Sequence, residues 1–286
     1  MKSNWDIEAV KIKLKELYQQ VISNKALLPA VPTVGVQILQ ALQAPNCNVK
    51  MFAKIIGNDV GLTAFILKTA RSLRFLTRTQ PKDLEAAIVR MGMKETYYLS
   101  LSFLSRSVVS SSNVQVASLL KETQLFSTKL SVISCFLAEK TRRIPGNEAM
   151  LGGLFQDIGV PAILVTLEKH QFILDDEQKV KVCVDRLAPY VGSFILKQWQ
   201  LDELLEVPEN RKKWDLDREE AGLAELILVA RFHAMLGTKE FKECPPLSAM
   251  PAFNKFNFGD IGPDNTLQLL KDSKDELDDI QRLLTP

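Results

Sequence analysis

Near the middle of the chain an amide and a carboxylate, Gln156 and Asp157, stand side by side at the end of an apolar run that opens at Gly146. A carboxylate there could hold a metal or move a proton, and its neighbours decide which. Metal-dependent hydrolysis at such a position calls for several imidazoles, which supply neutral nitrogen donors while Asp bridges or balances charge. The chain holds 2 His, His170 and His233, which cannot fill those roles. Gln156 takes up no proton, so Gln156-Asp157 is no general acid-base pair. Asp157 therefore has two readings: a carboxylate that caps or bridges to a neighbouring helix, or a surviving weak metal ligand. If buried, its charge needs a partner. His170 follows among charged residues and His233 lies between Phe232 and Ala234 on an apolar stretch. Each is expected to be partly exposed or hydrogen-bonded.

Other chemistry finds little support. The chain has no G-x-x-x-x-G-K-[ST], no G-x-G-x-x-G and no G-x-S-x-G, hence no phosphate cradle and no nucleophile elbow. The serine-rich stretch 100–112 has no nearby His to activate a nucleophile. Lys68, Arg71, Arg74 and Arg78 recur at helical spacing, with Lys82 beyond. Such a stripe could meet phosphates, though a solvated helix face is the simpler reading. Cys47, Cys135, Cys183 and Cys244 form no C-x-x-C pair, which argues against zinc, suits a reducing compartment and marks each as a small buried hydrophobe. No metal and no cofactor is expected. Lys+Arg (36) and Asp+Glu (34) leave +2, so no global field draws the chain to nucleic acid, anionic lipid or an acidic substrate. With no apolar leader-like stretch after Met1, and with apolar runs interrupted by polar residues, a cytoplasmic chain is expected, not a membrane one.

The elements that must position these residues are helical throughout. Ile7, Val10, Leu14, Leu17, Tyr18 and Val21 repeat at three and four, predicting a helix over 5–22. The prolines of Leu28-Pro29-Ala30-Val31-Pro32 break the pattern, which resumes from Val36 to Leu42. Asn48, Asn58-Asp59 and Asp83 can each cap a short helix, and Gly92 can stop the last of these. A long apolar run over 95–109 ends at Ser110-Ser111-Ser112-Asn113, read as a boundary. Beyond it helices are predicted over 114–140 and 147–168, the latter kinked at Gly159 and Pro161. Others cover 175–187, 190–205 and 217–236, interrupted by Pro189, Pro208 and the polar patch Glu209 to Lys213. No stretch alternates as a strand does, so the protein is all-α. The segment from Cys244 to Pro263, with exposed-looking phenylalanines, reads as an ordered loop or linker, and a final helix is predicted over 264–284. The expected division is 1–112, 113–240 and 241–286.

Taken in order, these stretches resemble the HDOD family of bacterial signalling modules, a diverged branch of the HD superfamily. Leu27 to Pro32 resembles its L-P-x-L-P opening, and Phe52 to Ala70 its helix pair around I-x-x-D-P-x-L-x-x-x-L-L-x-x-A, with Asn58-Asp59-Val60 where Asp-Pro is usual. Leu84 to Gly92 is close to E-A-I-x-x-L-G. Glu148 to Gly159 is similar to A-x-x-x-G-L-L-H-D-I-G, with Gln156 in the His position. The likeness runs from about 25 to 240. It implies an HD-domain-like helical bundle in two lobes and a role in signalling or regulation through protein partners, with a homo-oligomer compatible. It also implies a vestigial cleft at Gln156, Asp157 and Thr128, the last near where an earlier helix would carry His. A metal-dependent phosphohydrolase acting on nucleotides or cyclic dinucleotides is the alternative, and a nucleic-acid-binding regulator a second.

Overall fold

The computed structural model describes residues 7–24, 28, 33–72, 75, 80–104 and 111–256, with isolated positions between 274 and 281. Among them the chain is helical and no strand occurs. In chain order the helices are α1 (Ile7–Ser23), α2 (Thr33–Gln43), α3 (Val49–Gly57), α4 (Val60–Ala70), α5 (Leu84–Met91), α6 (Met93–Leu104) and α7 (Val114–Thr141). Then follow α8 (Gly146–Phe155), α9 (Val160–Leu167), α10 (Gln171–Leu174), α11 (Glu177–Gln198), α12 (Glu206–Glu209), α13 (Leu223–Met235) and α14 (Pro251–Lys255). They cluster into two compact units, each assembled from separated stretches of chain.

One unit comprises Met1–Ala30, Val108–Ser127 and Phe155–Lys213. Here α11 packs on α9, α10 and α12, and α1 lies against both α9 and α11. The reason is visible in α11, whose Val180, Cys183, Leu187, Val191 and Ile195 are buried at helical spacing. Asp176 starts that helix by accepting from the backbone N–H groups of Gln178 (3.0 Å) and Lys179 (3.2 Å). The break expected at Pro189 does not occur, since α11 runs through it. Proline forfeits one helical hydrogen bond, and burial of the apolar face on either side outweighs that loss.

The other unit comprises Val31–Ser107, Thr128–Leu154 and Trp214–Pro286. Within it α2 packs on α3 and α6, α5 on α3 and α4, and α13 on α14. The expected caps are in place: Asn48 accepts from Met51 N–H at 3.0 Å, Asp59 from Leu62 at 2.8 Å and Asp83 from Ala86 at 2.8 Å. Gly92 ends α5 at φ +88°, a left-handed conformation that glycine adopts without a Cβ clash. Helix α13 begins at Leu223, later than the expected 217, where Glu225 reaches back to accept from Gly222 N–H at 3.0 Å. Phe253 and Phe256, expected exposed, are buried, so the start of the proline-rich segment is part of a core. The motif stretch 27–32 (Leu28 apart), Arg74, Arg78 and most of the 264–284 helix lie outside the described residues.

The predicted central helix is two helices. Residues 156–159 form a turn between α8 and α9, closed by Ile158 N–H to Phe155 O (3.1 Å) and Val160 N–H to Asp157 O (2.9 Å). Pro161 opens α9, where its missing N–H costs nothing. By length and composition Gly146–Leu167 could cross a bilayer, but 78% of its apolar window is buried inside the protein.

Candidate functional site

The Gln156-Asp157 turn is pressed onto α11 by glycine. A Cβ on Gly159 would lie 2.7 Å from Gly192 N and 3.0 Å from Ala188 O, so a methyl group there would force the segments apart. Gly192 is held in turn by Pro208 of α12, whose Cβ would be 2.8 Å from an added Cβ, with Ile158 beside it. The 156–159 turn and α11 thus meet at backbone distance, with the Pro208 ring of α12 against the same glycine.

Charge meets at the same junction. Gln156 is 1% exposed and Asp157 3% exposed. Arg211 donates through Nε to Asp157 Oδ1 and through Nη1 to Asp185 Oδ1 on α11, the latter at 2.6 Å. Lys212 Nζ donates to the same Asp185 oxygen at 2.9 Å. Two consecutive cations thus reach one carboxylate, and Lys212 has φ +60°, a left-handed backbone that a lysine adopts only at some cost. Burial would lower the Arg211 pKa, yet Asp157 and then Asp185 outweigh it and hold the guanidinium above its ordinary value. Burial likewise would raise Asp185, but Arg211 and Lys212 keep it below the usual carboxylate range. Asp157 is therefore a bridging carboxylate, with its partner on a later segment of the same unit.

Thr128 is a half-buried residue of α7. Lys68 and Arg71 are exposed at the end of α4. The carbonyl of Ala70 there accepts from Arg90 Nη1 at 3.1 Å, as helix C-termini invite. His170, half-buried, shares a hydrogen bond of 2.9 Å between Nε2 and Gln20 Oε1 on α1. Its pKa is lowered, first by burial and then by Lys13, with Glu16 opposing. His233 departs from expectation. It is buried, and neither ring nitrogen has a hydrogen-bond partner among the described residues. Burial pushes its pKa down to about 4, so at neutral pH the imidazole is uncharged. Cys135 and Cys183 are buried as expected, whereas Cys47 and Cys244 are partly exposed.

The motif glycines serve packing. A Cβ on Gly153 would lie 2.7 Å from Ser131 Cα and 2.9 Å from Leu130 O, so α8 and α7 touch backbone to backbone within their unit. Ser131 Oγ donates to Met150 O at 2.6 Å across that contact. The HDOD domain model matches residues 28–212, a span that holds both this glycine contact and the Asp157 turn.

The chain belongs to the HDOD family.

Solved HDOD-like structures share its fold. A presumed metal-dependent phosphohydrolase from Shewanella amazonensis is 20% identical, with TM-score 0.75 over 96% of this chain and 99% of that one. An HDOD domain protein of unknown function from Geobacter sulfurreducens is 16% identical, with TM-score 0.64 over 96% and 98%. A presumed signal transduction protein from Marinobacter aquaeolei is 13% identical, with TM-score 0.67 over 98% of this chain and 66% of that one. At such identities the likeness concerns fold. No curated protein matches.

The residues of this HDOD chain do not fit a metal at Asp157. Gln156 brings a neutral amide where the HD pattern has His, and the Asp157 carboxylate already accepts from a guanidinium. A divalent cation placed there would face that guanidinium at close range, a like-charge arrangement. Arg211, Asp185 and Lys212 were not among the residues the sequence singles out. The one available signal is that a carboxylate in an apolar run needs a cation, without saying which.

Proposed function

We propose that the protein is a non-catalytic regulatory module of the HDOD type, acting in the cytoplasm through protein contacts in a signalling pathway. The observation that carries this reading is the engagement of Asp157, the remaining acidic residue of the HD pattern, in a buried ion pair with Arg211. The guanidinium on Asp157 Oδ1 places a fixed positive charge where a metal ion would have to bind. Of the two histidines, His170 is bonded to Gln20 and His233 is buried in α13. Family membership supports a signalling role, and the presumed signal transduction protein shares the fold. The division into 1–112, 113–240 and 241–286 is proposed as the organisation of the module.

The test is an activity assay on the full chain against nucleotides and cyclic dinucleotides with Mn²⁺, Mg²⁺ or Zn²⁺ supplied. Turnover no greater than that of Asp157→Asn is expected. Turnover that Asp157→Asn abolishes would establish the phosphohydrolase instead. Affinity capture with mass spectrometry then names the partner. Binding to mixed-sequence DNA or RNA, if it relied on Lys68 and Arg71, would weaken steeply with salt.

A further inference from the structure

Asp157 stands where the HD pattern places a metal ligand, and a guanidinium is bonded to it. A metal in such a place does two things: it carries positive charge into the interior, and it ties together acidic side chains from separate segments. Arg211 does both. Its Nε edge bonds Asp157 in the turn between α8 and α9, and its Nη1 bonds Asp185 of α11 at 2.6 Å, while its own backbone follows α12. Lys212 adds the second positive charge, 2.9 Å from Asp185, so two cations face two carboxylates. The Arg211 side chain is 5% exposed and that of Asp157 4% exposed, which places the pair out of reach of bulk water.

We propose that Arg211 is a tethered replacement for the metal, a permanent internal cation that cross-links the three segments and makes this unit independent of metal supply. The inference rests on the reading of the chain as a non-catalytic module. The guanidinium suits the role because its planar fork presents separate donors to two acids and it does not lose its proton in proteins. Unlike an ion it cannot be chelated or exchanged. The backbone is built to receive it: Gly159, Gly192 and Pro208 bring the same three segments into contact, and the left-handed Lys212 turns both cations toward Asp185.

Thermal melting of the full chain, in excess Mn²⁺ or in chelator, tests this with Arg211→Met, Asp157→Asn, Arg211→Lys and the double variant Arg211→Met/Asp157→Asn. The wild type should melt at the same temperature with metal and with chelator. Each single charge removal should lower that temperature by several degrees, and the double variant should lose less than the two single losses together, because neither charge is then stranded. Arg211→Lys, which keeps the charge and loses the fork, should fall between wild type and Arg211→Met, and it serves as the readout if the Met variant does not fold. Additive losses, a Lys variant no better than the Met variant, or Mn²⁺ stabilisation of the wild type that Asp157→Asn removes would each overturn the proposal. Turnover of a phosphoester would sink the regulatory reading while leaving these melts to be judged alone. Metal-dependent melting without turnover would sink only this inference.

Discussion

Acidification should destabilise the protein, with His233 as a separable contributor. Its pKa is pushed down to about 4 by burial from an ordinary 6.5, so the unfolded chain takes up a proton that the folded chain refuses. Stability from this group is complete above the unfolded value and is lost as pH falls toward the folded one. The linkage amounts to about 2 kcal/mol by pH 5 and about 3 kcal/mol by pH 4. For a cooperative chain of 286 residues, with an unfolding entropy near 2 cal/mol/K per residue, 2 kcal/mol corresponds to a melting shift of about 3 °C. The perturbation is His233→Leu, which removes two desolvated nitrogens and keeps an apolar side chain in α13. Calorimetric melting of both proteins at neutral pH and near pH 5 isolates the residue. The effect of His170, also lowered, is common to both, and the lowered Asp185 and Glu225 lose their contributions only at more acid pH. The wild type should lose about 3 °C more than the variant on acidification, and the variant should be at least as stable at neutral pH. Parallel losses in the two proteins would refute the reasoning.

Other substitutions read the packing and the caps. Gly153→Ala should cost about 2 kcal/mol or more in urea unfolding, because its Cβ meets backbone at 2.7 Å, whereas Gly57→Ala, with open space around it, should be neutral or slightly stabilising. Asp83→Ala should cost about 1 kcal/mol by removing the acceptor of Ala86 N–H. Gln156→His should not create a metal site, since one His-Asp pair gives too few ligands and Asp157 stays bound to Arg211; tight Mn²⁺ or Zn²⁺ binding in calorimetry would contradict this.

Helix ends were the most legible feature of the sequence, because a cap is a contract between residues two or three apart. Asn48, Asp59, Asp83 and Gly92 all act where their types suggest. Proline was harder to interpret. Pro189 looks like a stop, yet α11 continues through it because buried side chains on both sides of the proline hold the helix together. Pro161 reads as a kink in one helix but opens a new one, the turn at 156–159 being fixed by the approach of Gly159 to α11. The same limit applies to the site. Burial of Asp157 and its need for a partner follow from its apolar surroundings, but the partner is 54 residues on, and Asp185 is 26 residues before Arg211. No helical period links positions so far apart. The Glu209 to Lys213 patch therefore reads only as a polar interruption between helices, when two of its members are the cations that bond Asp157 and Asp185.

If Asp157 serves Arg211 and not a metal, metal content shows it most directly. The 286-residue chain, purified without chelator in the presence of Mn²⁺, Fe²⁺ and Zn²⁺, should carry far less than one equivalent of any transition metal by elemental analysis, the same as Asp157→Asn. A stoichiometric ion that is lost in Asp157→Asn would contradict the account.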